Sequence, residues 1–298
     1  MKTESRDLYA SVTTQIIHAL EAGTPPWICP WRRTGSDGRP TNAGSGRLYR
    51  GINVLLLNLR ALSAGYRYNR WLTFRQALAA GGHVRRGEQG SPIVFFKMHE
   101  VEGPSSGAGE ECKIIPLLRA FTVFNVGQID GLAPEVAGVP EAPPRWDPIE
   151  EAQRLLEAAG AEVRHGGDRA FYAPDQDRIQ LPSPGAFASA EDYYATALHE
   201  LTHWTGHPNR CNRLLGRRHG IEAYAFEELV AEMGAAFLTG HCGLQSQLQH
   251  ASYIAAWLEA LRSDKRMIFA AAAQAQRAAD FVLDDRGEHD DESAQAVA

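Results

Sequence analysis

Residues 193–204 read YYATALHELTHW, and the placing of two histidines in them decides what the second half of the chain must build. His199 and His203 stand four apart. The surrounding pattern is helical, and four residues is just over one turn, so both imidazoles leave the helix on one face. Two nitrogens so placed can share one metal ion. Glu200, one step round the helix, is badly placed to join them as a ligand. It can instead reach a water beside the metal and take its proton during attack on a carbonyl. Chance alone supplies about 0.03 such patterns in a chain of this composition. The weight therefore falls on the helical setting and on a third ligand further along.

Residues 224–238, YAFEELVAEMGAAFL, offer Glu227, Glu228 and Glu232 for that third position. The run Glu228-Leu229-Val230-Ala231-Glu232 resembles the ExxxD-type signature of gluzincins. That resemblance implies Glu228 as ligand and Glu232 as the acid that orients a ligand histidine from behind, with Glu227 as rival. A metzincin continuation would need histidine at position 209, where this chain has Asn209. Structural zinc takes four protein ligands, whereas this set offers three and an open position, which speaks for catalytic ancestry. The plainer readings are a buried polar cluster, or a metal that binds and does no chemistry. The expected cofactor is one divalent ion, with Zn2+ first and Mn2+ or another transition metal also accepted by these donors.

The front of the chain has a different character. Residues 1–99 hold 14 Lys and Arg against 5 Asp and Glu, and 12 of the 14 are arginine. Residues 146–298 reverse the balance, with 13 basic against 24 acidic. Only the front is suited to a polyanion. Its arginines alternate with aromatics: Trp27, Trp31-Arg32-Arg33, Tyr49-Arg50, Tyr66-Arg67-Tyr68, Arg70-Trp71, then Arg85-Arg86 on a glycine-flanked turn. Single-stranded nucleic acid asks for this mixture, with guanidinium groups on phosphates and aromatic faces under bases. Duplex readers more often carry a basic recognition helix, and none stands out. Each aromatic taken singly reads equally well as core.

Helices are expected at 6–22, 51–62, 73–80 (with Thr73 as cap), 149–160, 189–206, 222–240 and 250–283, and strands at 92–97, 114–118 and 120–126. Short strands are expected within 161–181. Residues 133–148 carry five prolines without periodicity, a linker composition. The division that follows is a front domain at 1–132, a linker at 133–148, a second domain at 149–283 and an acidic tail at 284–298. The fold class is α+β in two domains, an α+β single-stranded-DNA-binding domain followed by a mainly helical zincin-like domain of gluzincin type. Four scattered cysteines without a CxxC pair, together with a polar N-terminus and no long apolar run, place the protein in the cytoplasm and off the membrane.

Read end to end, the chain resembles the ArdC-type plasmid antirestriction proteins. The likeness is carried by WICPWRR, YRGINVLLL, RWLTFRQA, VRRGEQGSPIVFF and FTVFNVGQIDGL in front, and by HELTHWTGH and YAFEELVAEMGAAFL behind. Similar front domains accompany plasmid primases of the TraC type. The resemblance implies a protein that binds single-stranded DNA and protects entering plasmid DNA from host restriction during conjugation. It also implies a divalent metal behind and a restriction-system protein as a candidate target.

Overall fold

The computed structural model describes residues 7–22, 39–102, 112–138, 148–213, 221–244 and 251–284. Trp27, Trp31, Arg32 and Arg33, with residues 139–147 of the expected linker and 285–298 of the expected tail, lie outside the described residues.

Helix α1 (Leu8–Glu21) starts at Asp7, whose carboxylate accepts the Ala10 N–H. Then follow β1 (Thr41–Asn42), α2 (Ile52–Ala64), β2 (Arg70–Thr73), α3 (Phe74–Ala79), β3 (His83–Val84), β4 (Ser91–Glu102), β5 (Cys112–Asn125), β6 (Ile129–Asp130) and a turn of helix, α4 (Pro134–Ala137). The main front sheet has the order β1-β2-β5-β4, with β1 and β2 parallel and the other pairs antiparallel. The expected strands 114–118 and 120–126 are one continuous strand. Arg119 pairs with Phe95 in an unbroken ladder, and no turn residue interrupts it. Strand β2 was not expected, because four residues running straight into a helix show little alternation.

The back half comprises α5 (Pro148–Ala159), β7 (Glu162–His165), β8 (Phe171–Ala173), β9 (Arg178–Leu181), α6 (Ala190–Thr205), α7 (Ile221–Cys242), α8 (Ala251–Ser263) and α9 (Met267–Leu283). Its sheet runs β7-β9-β8. The single helix expected over 250–283 is two helices. Asp264 turns its carboxylate onto the Arg266 N–H and ends the first of them, a competition that short acidic side chains often win against helix continuation.

Where the halves meet, apolar packing dominates. Val12, Ile16 and Leu20 of α1 are buried in the same cluster as residues of α6, α7, α8 and α9. The Tyr9 ring stands edge-on to Phe269 at 4.8 Å, and Thr13 Oγ1 donates to the Lys265 carbonyl at 2.7 Å. Two exposed ion pairs, Lys265–Asp7 and Arg262–Glu21, fringe this seam. Such pairs are worth at most about 1 kcal/mol, against about 1.5–3 kcal/mol for each buried aliphatic chain, so the seam is hydrophobic in origin. A second joint lies at the start of α2. Arg50 Nη2 reaches Asp280 Oδ2 at 2.5 Å, and the Gly51 N–H donates to Gln276 Oε1 at 3.0 Å.

The outer edge of β4 is closed from within. Asn53, in the first turn of α2, donates from Nδ2 to the Val94 carbonyl and accepts the Val94 N–H at Oδ1, both at 2.8 Å. An amide here acts as a one-residue strand partner on an edge that would otherwise present open backbone groups. Asn53→Leu should leave two buried backbone groups unpaired and cost about 2 kcal/mol or more, read as a lower urea midpoint at unchanged m-value. A midpoint equal to wild type would show that this edge does not need its partner.

Candidate metal centre

Helix α6 is capped by Ser189, whose hydroxyl accepts the Asp192 N–H, and it carries His199, Glu200 and His203 into the interior at its C-terminal end. Helix α7 crosses it closely. A Cβ at Gly234 would lie 2.5 Å from the Thr202 side chain, so only glycine permits this approach. The approach brings Glu227 and Glu228 against the histidines.

His199, His203 and Glu228 each point one ligand atom into a common space, all within 4.8 Å of one another. Glu228 Oε2 is 3.7 Å from His199 Nε2, and Oε1 is 3.8 Å from His203 Nε2. A tetrahedral ion with bonds of about 2.0–2.2 Å spaces its ligand atoms by about 3.4 Å. These two nitrogen–oxygen separations are within a few tenths of an ångström of that, and two nitrogens and one carboxylate are a donor set that divalent metals take. The residues fit a divalent metal ion.

Behind the cluster stands a buried relay. His203 Nδ1 lies 3.1 Å from Glu227 Oε1, so the ring N–H donates there and Nε2 faces the other ligands. Arg213 holds the same carboxylate with two hydrogen bonds, Nε to Oε2 and Nη2 to Oε1, both 2.9 Å. It also donates to the Thr202 carbonyl at 2.6 Å and to Thr205 Oγ1 at 2.9 Å. Arg213 is thereby clamped to α6 and α7 together. The turn that delivers it is braced by Arg210, which lies 3.7 Å over the Trp204 ring and pairs with Asp177 and Tyr172 from the small sheet.

The charges are mutually dependent. Burial would lift Glu228, but the close ring nitrogens of His199 and His203 hold it far below the usual carboxylate range. Burial would likewise lift Glu227, and His203 and Arg213 outweigh it. Burial pushes His203 down, yet Glu227 and Glu228 reverse that and raise it to about 10. The pocket is therefore strongly selective for positive charge, and a metal competes with a proton for it.

Of the residues named from sequence, His199, His203 and Glu228 are brought together, with Glu200 buried beside them. Glu227, the rival ligand, stands at His203 Nδ1 and orients that ring. Glu232 is buried one turn further along α7. Arg213 and Gly234 were missed. Arg213 has partners on two separate helices and so leaves no spacing to read, and a helical glycine declares a close approach only once the neighbour is known.

In the front half the expected nucleic-acid contacts divide. Trp71 is wholly buried with its indole N–H on Asn69, and Tyr49 is in the same cluster. Their rings fill the core under the sheet and cannot stack on a base. Arg50 is engaged with Asp280, and Arg70 reaches the Glu135 carbonyl at 3.4 Å. Arg85 is exposed but bound to Glu88, Asp130 and the Gly127 carbonyl. Arg86 is exposed beside it.

Residues 6–124 match the family described as the N-terminal domain of anti-restriction factor ArdC, and residues 150–274 the family described as zincin-like metallopeptidase. The uncharacterized protein y4eC of Sinorhizobium fredii is 41% identical over 284 residues, covering 93% of this chain and 91% of its own length. A DNA primase TraC of Escherichia coli is 42% identical over 301 residues, and there the chain spans only 28% of the relative's length. The antirestriction ArdC protein from plasmid R388 has crystal structures without metal and with Mn(II). They match at 43% and 42% identity, each with a TM-score of 0.78, over 93% and 95% of this chain and 97% and 99% of theirs.

Replacing Glu227 by Gln or Ala should weaken binding of Mn2+ or Zn2+ by about 10–100-fold, because the orienting acceptor behind His203 is lost, and should lower the melting temperature, because buried Arg213 loses its carboxylate. Titration calorimetry beside a circular-dichroism melt measures both. Unchanged affinity in both variants would remove Glu227 from the centre.

Proposed function

This chain belongs to the ArdC family of anti-restriction factors, and we propose that it binds single-stranded DNA and protects plasmid DNA from restriction as that DNA enters a recipient cell. The observation that carries the proposal is the joining in one chain, in the order found in ArdC, of an arginine-rich front and a complete His199–His203–Glu228 cluster. The front half supplies the contact with DNA. Occlusion of the entering strand then denies restriction enzymes their substrate. A cytoplasmic site of action agrees with this role, and no helix among the described residues is long and apolar enough to cross a membrane.

The back half is proposed to hold one divalent ion, Zn2+ first, on His199, His203 and Glu228. When bound, such an ion polarises a carbonyl and eases ionisation of a water. Glu200 sits buried beside the ligands on the same helix, free of a ligand's role, and takes a proton from attacking water. The Glu227–Arg213 pair keeps His203 in the orientation that presents Nε2. A second reading, a protease carried to DNA to cut a restriction-system protein, is favoured by that retained Glu200, which a purely bracing metal would not need.

Conjugation into a restricting recipient, with wild type compared with Glu200→Gln, separates the readings. Protection equal to wild type is expected if occlusion carries the function. Loss of protection with single-strand binding retained would overturn occlusion in favour of proteolysis. His199→Ala should abolish metal binding while leaving the DNA-binding front competent. Elemental analysis checks this, and full metal stoichiometry in the variant would reject the ligand assignment.

A further inference from the structure

Four large apolar side chains are exposed among the described residues, and three of them, Leu48, Phe74 and Leu78, belong to the front half. Phe74 is the most open, at 52%. It opens α3, one turn before Leu78, so both stand on one side of that helix. The helix is held firmly. Thr73 and Gln76 cap it reciprocally, and Gln76 Oε1 also accepts from Asn42 Nδ2 at 3.1 Å. The Phe74 ring stands edge-on to Phe124, 6.3 Å between centroids. Phe124 is pressed in turn by the end of the turn that carries Arg86. A Cβ at Gly90 would collide with Thr122 Cγ2 and lie 3.0 Å from that ring, so the glycine lets the backbone close on both. Phe74 is thus next in the chain to exposed Arg75, and its partner Phe124 adjoins the end of the turn that carries exposed Arg86.

We propose that Phe74, backed by Phe124 and Leu78, is the platform on which an unpaired nucleobase stacks, with Arg75 and Arg86 taking the adjoining phosphates. The proposal rests on the reading of the front half as a binder of single-stranded DNA and says where that strand lies. The occupant follows from charge and shape. The surplus of nine basic residues in 1–99 favours a polyanion. A lone open ring among arginines suits bases that are splayed out, whereas a duplex hides its base faces. Arg85 engages both Glu88 and Asp130, which leaves that trio one negative charge, and the two positive charges of Arg75 and Arg86 outweigh it. Trp71 and Tyr49 are core residues, and Tyr66, Tyr68, Phe95, Phe121 and Phe124 are partly buried, so Phe74 is the most open ring of the described front half.

The test uses the full chain and a fluorescein-labelled oligothymidine of about 16 nucleotides, a length within reach of one such groove, read by anisotropy across a salt series. Phe74→Ala should bind about 5–150-fold more weakly, the range expected for losing one stacked base, with its salt slope unchanged. Phe74→Tyr should keep wild-type affinity. Arg86→Ala should flatten the salt slope by about 0.7, as one lost phosphate contact does on a single strand. Affinity of Phe74→Ala within twofold of wild type, with its melting curve intact, would overturn the platform while leaving single-strand binding in place. Failure of the wild type to bind the oligonucleotide would sink the DNA reading itself and the platform with it. Should Phe74→Ala change only self-association, seen by sedimentation, the patch is a contact between copies and the proposal falls.

Discussion

Everything in the back half depends on how closely α7 can lie against α6. At Gly234 the two helices meet where any side chain would collide with the Thr202 methyl. That single approach sets the height of Glu228 against His199 and His203, and of Glu227 against the far nitrogen of His203. Four ionisable groups are then buried together, which is tolerable only because each neutralises the next. Arg213 is the counterweight. It makes two hydrogen bonds to the Glu227 carboxylate and is tied to the backbone of α6. Removing one member of such a set leaves an uncompensated buried charge, a far larger cost than any exposed ion pair carries.

The front half is attached to this frame, and the attachment explains several residues that look functional in isolation. Helix α1 precedes the front sheet in the chain yet buries its apolar stripe among α8 and α9. Arg50 and Gly51 at the head of α2 are held by α9. An arginine beside a tyrosine in a basic segment resembles a phosphate contact until its partner is seen to be Asp280. The front half is thus tied to α9, and α9 packs in the same core as α6 and α7.

Patterns with a short period were legible. The four-residue spacing of His199 and His203, the amphipathic α1, and Thr73 before Phe-Arg-Gln each declare a local geometry that survives in the fold. Spacing alone narrowed the third ligand to one of three acids on a helix, and only the resemblance to the gluzincin signature singled out Glu228. Which acid faces the ligands depends on the rotation of α7 about its own axis, and that rotation is set by a neighbour. Aromatics were least legible. Trp71 and Phe74 are three residues apart in one basic segment, and one is wholly buried while the other is the most exposed large apolar side chain described. The strand-to-helix switch at Thr73 turns them to opposite environments, and composition carries no record of it.

The amino-acid sequence alone determined that this chain has a basic front and an acidic back, and that a helix in the back presents two histidines and a glutamate. Those features depend only on residue identity and on the fixed geometry of a single helix. Only the tertiary structure decided which glutamate joins the histidines, that Arg213 stands behind them, and which aromatic of the front half faces solvent. These are relations between elements far apart in the chain. They are governed by close packing, in which the presence or absence of one Cβ moves a whole helix.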